Sequence, residues 1–266
     1  EITKAAAHVA GAETLLAVGG AHAIAALAYG AGKDLHACDA IVGPGNRWVT
    51  AAKQLVAGRV TIDMLAGPSE LLVLADETAN PATVAADLLA QAEHDVVAIP
   101  MLVTTCPPLV DKVEVELKKQ LSKLSTRATA EASLKHGGLA VLCEDMDAAI
   151  QVSNQLAPEH LEVIAKDEEN VASKLDHYGA LFVGNNAAEV LGDYGAGPNH
   201  TLPTGGTARS TGGLSVFDFL RVRTWMKLND LKSAQQLVTD SMALAKLEGL
   251  QGHAKSAGHR LIKSSM

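Results

Sequence analysis

The sequence predicts an α/β protein made of an incomplete Rossmann-like parallel sheet unit, a second α/β domain and a helical C-terminal arm. Three observations carry this expectation. Strand and helix patterns alternate as far as Gly184, the signature of parallel βαβ units. Apolar residues make up 48% of the chain but aromatic ones only 3%, so its cores must be built from Ala, Val, Leu and Ile, a palette suited to packed helices and buried parallel strands. After Gly213 only helical patterns remain.

The elements are expected as follows. A helix through Ala12 leads to a strand at Leu15–Gly19, and a helix at His22–Tyr29 leads to a strand at Asp39–Val42. The turn Gly43-Pro44-Gly45-Asn46 then opens a helix from Arg47 to Val56. Free N–H groups after such glycine turns can hold an anion, although glycines also serve simply to turn the chain, and no GxGxxG fingerprint is present. Leu71–Asp76 reads as a buried strand beyond the turn Ala66-Gly67-Pro68-Ser69. Pro81 starts a helix with Gln91 and His94 near its end. Strands follow at Val97–Thr104 and Gly138–Cys143, with helices at Leu109–Leu124 and Ala128–His136 between them. A helix over 146–157 should stop at Pro158 and leave Glu159-His160 in a loop before the strand Leu161–Ile164. A helix at Glu168–His177 and a strand at Ala180–Gly184 complete the sheet. A glycine-rich loop over 192–213 holds Asp193 and His200, and helices are expected at Leu214–Leu228, Lys232–Leu247 and about His253–Lys263.

Domain boundaries follow from this order: an incomplete parallel-sheet unit at residues 1–66, a larger α/β domain at 67–212 and a helical arm at 213–266. The 266 residues are enough for roughly two domains, and a mean hydropathy of +0.14 excludes general disorder. A net charge of -8 argues against nucleic-acid or anionic-membrane partners, which attract basic patches. Cys38, Cys106 and Cys143 are widely spaced, which fits buried thiols in a reducing, cytoplasmic setting. Glu1–Ala12 reads as the middle of a helix without a Met start, so the chain is expected to be the C-terminal part of something longer.

The chemistry lies in scattered polar groups. No GxSxG elbow and no HExxH pair occurs. Gln91 and His94 share a helix face three residues apart. With Asp193, and with His200 or His253, they offer imidazole, carboxylate and amide oxygen to a zinc-like ion. A surface Gln and a His favoured near a helix C-terminus are the plainer reading of the first pair. Glu159-His160 offers an acid–base couple, where a surface turn is the plainer reading.

Several long blocks in order carry a resemblance. They are Gly19-Gly-Ala-His-Ala-Ile-Ala25, Gly43-Pro-Gly-Asn46, Ile62 to Glu70, Asp87 to His94, Asn154 to Leu161, Gly192 to Thr204, and Glu248 with His253. Through them the whole chain resembles the histidinol dehydrogenase family. The resemblance implies oxidation of L-histidinol to L-histidinal and then to L-histidine, the last step of histidine biosynthesis, with two NAD⁺. It implies one Zn²⁺ per subunit held by Gln91, His94 and Asp193, with His253 completing the site across a homodimer interface. It implies that residues 1–66 are a partial cofactor-binding domain, 67–212 a catalytic, substrate- and zinc-binding domain and 213–266 a dimerisation arm. It assigns His160 as base for the alcohol and Glu159 as activator of water. It assigns Ser69, His200 and Glu248 to the substrate, together with the metal ligands and His160, and His22 and Asn46 to NAD. His22 stands where the family has glutamine, and the family chain is longer at its N-terminus. The alternatives are an inactive zinc- or imidazole-binding fragment, which would not bind NAD, and a metal-assisted hydrolase, which would ignore Asn46→Ala.

Overall fold

The computed structural model describes residues 1–197 and 199–262. Pro198 of the glycine-rich loop and Lys263, the expected end of the last helix, lie outside the described residues. The chain divides into two compact units, Glu1–Phe219 and Leu220–Met266.

The first unit holds two parallel sheets. The smaller pairs β1 (Ala40–Ile41) with β2 (Thr61–Ile62). It is flanked by α2 (Gly20–Tyr29) and α3 (Arg47–Val56) and follows α1 (Ile2–Val9). Ile24, Ala28, Ile41, Val56 and Val60 form its small core. The larger sheet has the order β5-β4-β3-β6-β7, all parallel. Its strands are β3 (Glu70–Ala75), β4 (Ile99–Thr104), β5 (Leu139–Leu142), β6 (His160–Ile164) and β7 (Ala180–Val183). The connecting helices are α4 (Pro81–Ala92), α5 (Pro107–Leu121), α6 (Arg127–Gly137), α7 (Met146–Leu156) and α8 (Glu168–Ala172).

The central position of β3 explains its unbroken apolar run. Leu71, Val73 and Ala75 point into a core shared with α4 and α5, while Leu72 and Leu74 point into one shared with α7 and α8. All five are wholly buried, and each large side chain contributes about 1.5–3 kcal/mol on transfer from water. The helices begin where the sequence supplies caps. Asn46, Asn80 and Asp145 accept backbone N–H bonds at the starts of α3, α4 and α7. α7 ends at Ala157 in the left-handed conformation (φ 49°), which turns the chain through Pro158 into β6.

Four expectations are corrected. Leu15–Gly19 forms no strand; it has no hydrogen-bonding neighbour in the β1–β2 sheet, and Leu15 is exposed. His160 is the first residue of β6, not part of a loop, because it pairs in register with Leu71 and Ala180. Leu214–Leu228 is not helical beyond a single turn of 3₁₀ helix at Val216–Phe219. That stretch is rich in aromatic and β-branched residues of modest helix preference, and Phe217, Val222 and Trp225 are exposed, so no burial supports a helix. The three cysteines are half-buried rather than buried.

The second unit consists of α10 (Gln235–Leu247) and α11 (Gln251–Gly258), packed as a pair across a turn at Gly249 (φ 75°). Gln235 fastens the pair by donating to the Arg260 carbonyl and accepting the Ile262 N–H.

No helix among the described residues is long and apolar enough to cross a membrane.

Candidate functional site

In open parallel sheets ligands usually collect beyond the carboxyl ends of the strands. Here the polar groups gather at the amino ends. Ser69 directly precedes β3, Glu159 directly precedes β6, and α4 runs back against the strands so that Gln91 and His94 arrive at the same edge. A further short helix, α9 (Glu189–Asp193), brings two more carboxylates. Together with the loop over 199–204 and the Pro44-Gly45 turn they enclose a cleft of about 440 Å³.

His160 is held in one orientation. Its Nδ1 lies 2.9 Å from the carbonyl oxygen of Glu70. A carbonyl only accepts, so the proton of the neutral ring sits on Nδ1, and Nε2 is the basic nitrogen. Nε2 lies 3.7 Å from Glu189 Oε1, a carboxylate placed to stabilise the ring once it is protonated.

Glu159 is almost buried and accepts two bonds on Oε2, from the Ser69 hydroxyl at 2.6 Å and from the Glu70 N–H at 2.9 Å. Burial raises its carboxyl to about 7, against the two hydrogen bonds that favour the charged form. A carboxylate with that affinity is suited to exchange protons with water near neutrality. Its main chain is fixed as well. Gly179 packs so closely that an added Cβ would fall 2.5 Å from the Glu159 carbonyl oxygen. Glu70 is also buried, which raises its carboxyl, and its Oε1 takes the Gly205 N–H at 2.9 Å, pinning the loop that closes the cleft.

His94, Glu189 and Asp193 bring one ligand atom each to within 4.8 Å of one another. Gln91 is wholly buried, and neither its amide oxygen nor its nitrogen has a hydrogen-bond partner among the described residues. A buried amide without partners is costly, and an ion would relieve it. One imidazole, two carboxylates and an amide oxygen form a donor set that suits Zn²⁺. The residues present therefore fit the ion that the sequence implies.

The structure thus brings together Ser69, Gln91, His94, Glu159, His160, Asp193 and His200 around one edge of the sheet. Asp193 lies at the end of α9 rather than in a loop. Asn46 adjoins the cleft through Gly45, and its Oδ1 is committed to the N–H groups of Trp48 and Val49. The turn before it is tied from beneath: the buried Lys53–Asp63 pair bonds both the carbonyl and the N–H of Gly43. His22 stands exposed in the first turn of α2 and does not line the cleft. Glu248 and His253 belong to the second unit, where both line a shallow pocket of about 470 Å³.

Sequence reasoning missed Glu189, Glu70, Asp87 and Glu162. Only Glu162 left a signal, as a charged residue inside the apolar run Leu161–Ile164.

Comparison with known proteins gives a consistent picture. The family model described as histidinol dehydrogenase matches residues 1–261. The histidinol dehydrogenases of Parasynechococcus marenigrum and Heliobacterium mobile are 47% and 48% identical over 261 residues; each match covers 98% of this chain, and 59% and 61% of those proteins. The crystal structure of histidinol dehydrogenase from Elizabethkingia anophelis superposes with a TM-score of 0.83 at 38% identity, over 91% of this chain and 56% of that one. The chain spans about three fifths of the length of the curated relatives it matches.

Proposed function

The chain belongs to the histidinol dehydrogenase family, and on that premise we propose that its cleft oxidises L-histidinol to L-histidine through L-histidinal, with NAD⁺ as hydride acceptor and zinc in the site. The observation that supports this most is the pairing of a fixed-tautomer base, His160, with a carboxyl raised to about 7, Glu159, beside an unpartnered Gln91.

Gln91, His94 and Asp193 would hold the ion, Glu189 would offer a further carboxylate, and His253 would join from a second copy of this chain. Bound zinc would supply a positive centre for the electron-rich groups of the substrate, so that these residues could orient it. Ser69, His200 and Glu248 add polar contacts. NAD⁺ docks by the α3 turn at Asn46 and, more weakly, by His22.

In the first oxidation His160 Nε2 removes the alcohol proton as hydride leaves the carbon. The resulting imidazolium is stabilised by Glu189. In the second, Glu159 takes a proton from water as its oxygen adds to the aldehyde carbon. Once the carbonyl oxygen has taken the proton held by His160, hydride leaves the hydrate for a second NAD⁺ as His160 takes a hydroxyl proton, and the acid formed releases its own proton to water to give the carboxylate. Two acid–base groups are needed because an alcohol and a water molecule must be deprotonated at different positions in one cleft. The bonds on Glu159 Oε2 leave Oε1 for the water.

The test is NADH formation by the full chain with L-histidinol, NAD⁺ and Zn²⁺. Two NADH per histidinol are expected. No NADH from histidinol by a chain that holds zinc would refute the dehydrogenase reading.

A further inference from the structure

Leu202, Pro203 and Thr204 are buried although they belong to no helix or strand. A buried loop must find partners for its polar groups inside the protein. Here those partners lie beside the acid–base couple.

Three consecutive residues are seated in turn. Pro203 packs on Gly179, where an added Cβ would fall 3.1 Å from Pro203 Cδ and 2.5 Å from the Glu159 carbonyl oxygen. Thr204, only 3% exposed, accepts the Gly67 N–H on Oγ1. The Gly205 N–H goes to Glu70 Oε1 at 2.9 Å, and the other oxygen of that carboxyl accepts the Glu159 N–H at 3.4 Å.

These contacts fall on the segments that carry the chemistry. Gly67 opens the turn Gly67-Pro68-Ser69, and the Ser69 hydroxyl donates to Glu159 Oε2 at 2.6 Å. Glu70 holds Glu159 twice, its side chain on the Glu159 N–H and its own N–H on the Glu159 carboxyl. His200, two residues ahead of the buried segment, lines the cleft. The segment 202–205 therefore ties the turn before β3 to the residue before β6.

We propose that Thr204 and Glu70 are positioning residues for Glu159: Thr204 fixes the turn that presents the Ser69 hydroxyl, and the Glu70 carboxyl fixes the Glu159 main chain, both against the segment 202–205. This rests on the reading of Glu159 as the base that activates water. Misplacing a reacting group by about 1 Å can cost about 10²-fold in rate.

The test uses the zinc-loaded full chain with NAD⁺, given L-histidinol or L-histidinal separately. Thr204→Val keeps the shape of the side chain and removes the acceptor, and it should slow the aldehyde step by about 10–10²-fold more than the alcohol step. Thr204→Ser keeps the acceptor and should restore the aldehyde step to within about threefold of the parent. Glu70→Gln can accept from only one of its two N–H donors and should fall with Thr204→Val. Amide exchange, followed by NMR without zinc or NAD⁺, gives a second readout: Gly67 should exchange about tenfold faster in Thr204→Val and at the parent rate in Thr204→Ser. Glu159→Gln, measured alongside, separates the two failures. A parent that yields no NADH, or a Glu159→Gln that does not single out the aldehyde step, overturns the reading of Glu159 and the proposal with it. Where Glu159→Gln does single out that step, parent-like rates in Thr204→Val and Glu70→Gln overturn the proposal alone. So does an equal loss of both steps, or a loss in Thr204→Ser as large as in Thr204→Val. If Thr204→Val or Glu70→Gln does not fold, the other decides between the same outcomes.

Discussion

The two sheets of the first unit meet the cleft in different ways. At the amino edge of the five-stranded sheet, Glu70, Glu159, His160, Glu162 and Glu189 are all buried and bonded to one another or to one another's main chain. Beside the two-stranded sheet, Asn46 and His22 are exposed, and Asn46 Oδ1 already caps α3. Groups held on several sides are preorganised for chemistry, whereas exposed ones offer contact and little more. The side proposed for the substrate is thus built into the sheet, and the side proposed for the cofactor relies on the buried Lys53–Asp63 pair for the shape of its turn.

The largest effect expected from breaking this contrast is on the preorganised side. Glu159→Gln should slow oxidation of L-histidinal by about 10²–10⁴-fold and spare the first oxidation, which is followed by supplying each substrate separately. Equal loss of both steps would remove the distinction between His160 and Glu159. On the other side, Lys53→Met leaves Asp63 buried without its cation and should cost about 3–5 kcal/mol, measured by denaturant unfolding. A loss no larger than that of an exposed substitution would show that the turn does not need the pair.

A third effect is on pH. Glu159 has its carboxyl raised to about 7 by burial, and a base acts only when ionised. The aldehyde step should therefore fall about tenfold per pH unit below 7 and level off above it. Stability runs the other way: a carboxyl raised in the folded state favours folding most below its ordinary value, 4.5, and that contribution is lost as pH rises through about 7. Asp87, raised by burial to about 6, and Glu162, raised to about 8, act in the same direction. The apo chain should then unfold more easily at pH 9 than at pH 6, and a flat Tm across that range would contradict the burial of these groups. The smallest effect is expected at Asn46→Ala, a loss of about 0.5–2 kcal/mol from the missing cap, with KM for NAD⁺ rising while kcat for the bound complex is kept.

How much of this was legible follows the same divide. β3 and β4 could be read because central strands are buried on both faces and are apolar almost throughout, and β6 could be read from Leu161, Val163 and Ile164 in spite of Glu162. α3 and α4 could be read because Asn46 and Asn80 cap them and Pro81 fits a first turn. Gln91 and His94 were visible from spacing, but not that one is sealed and the other open, since burial depends on what α9 and the loop over 199–204 place above them. Glu189 gave no signal because its role comes from a five-residue helix folded back over β6. Leu214–Leu228 misled because an apolar helical period describes what a segment could bury, not whether anything is there to bury it.

The account centres on a substrate-binding side that is organised by metal. Titration of L-histidinol into the full chain, with zinc loaded and then removed by chelation, tests this in a single readout. Binding that appears with zinc and is lost without it is the predicted result, and Asp193→Ala should match the zinc-free chain. Histidinol bound equally well after zinc removal would contradict the metal's role in holding the substrate.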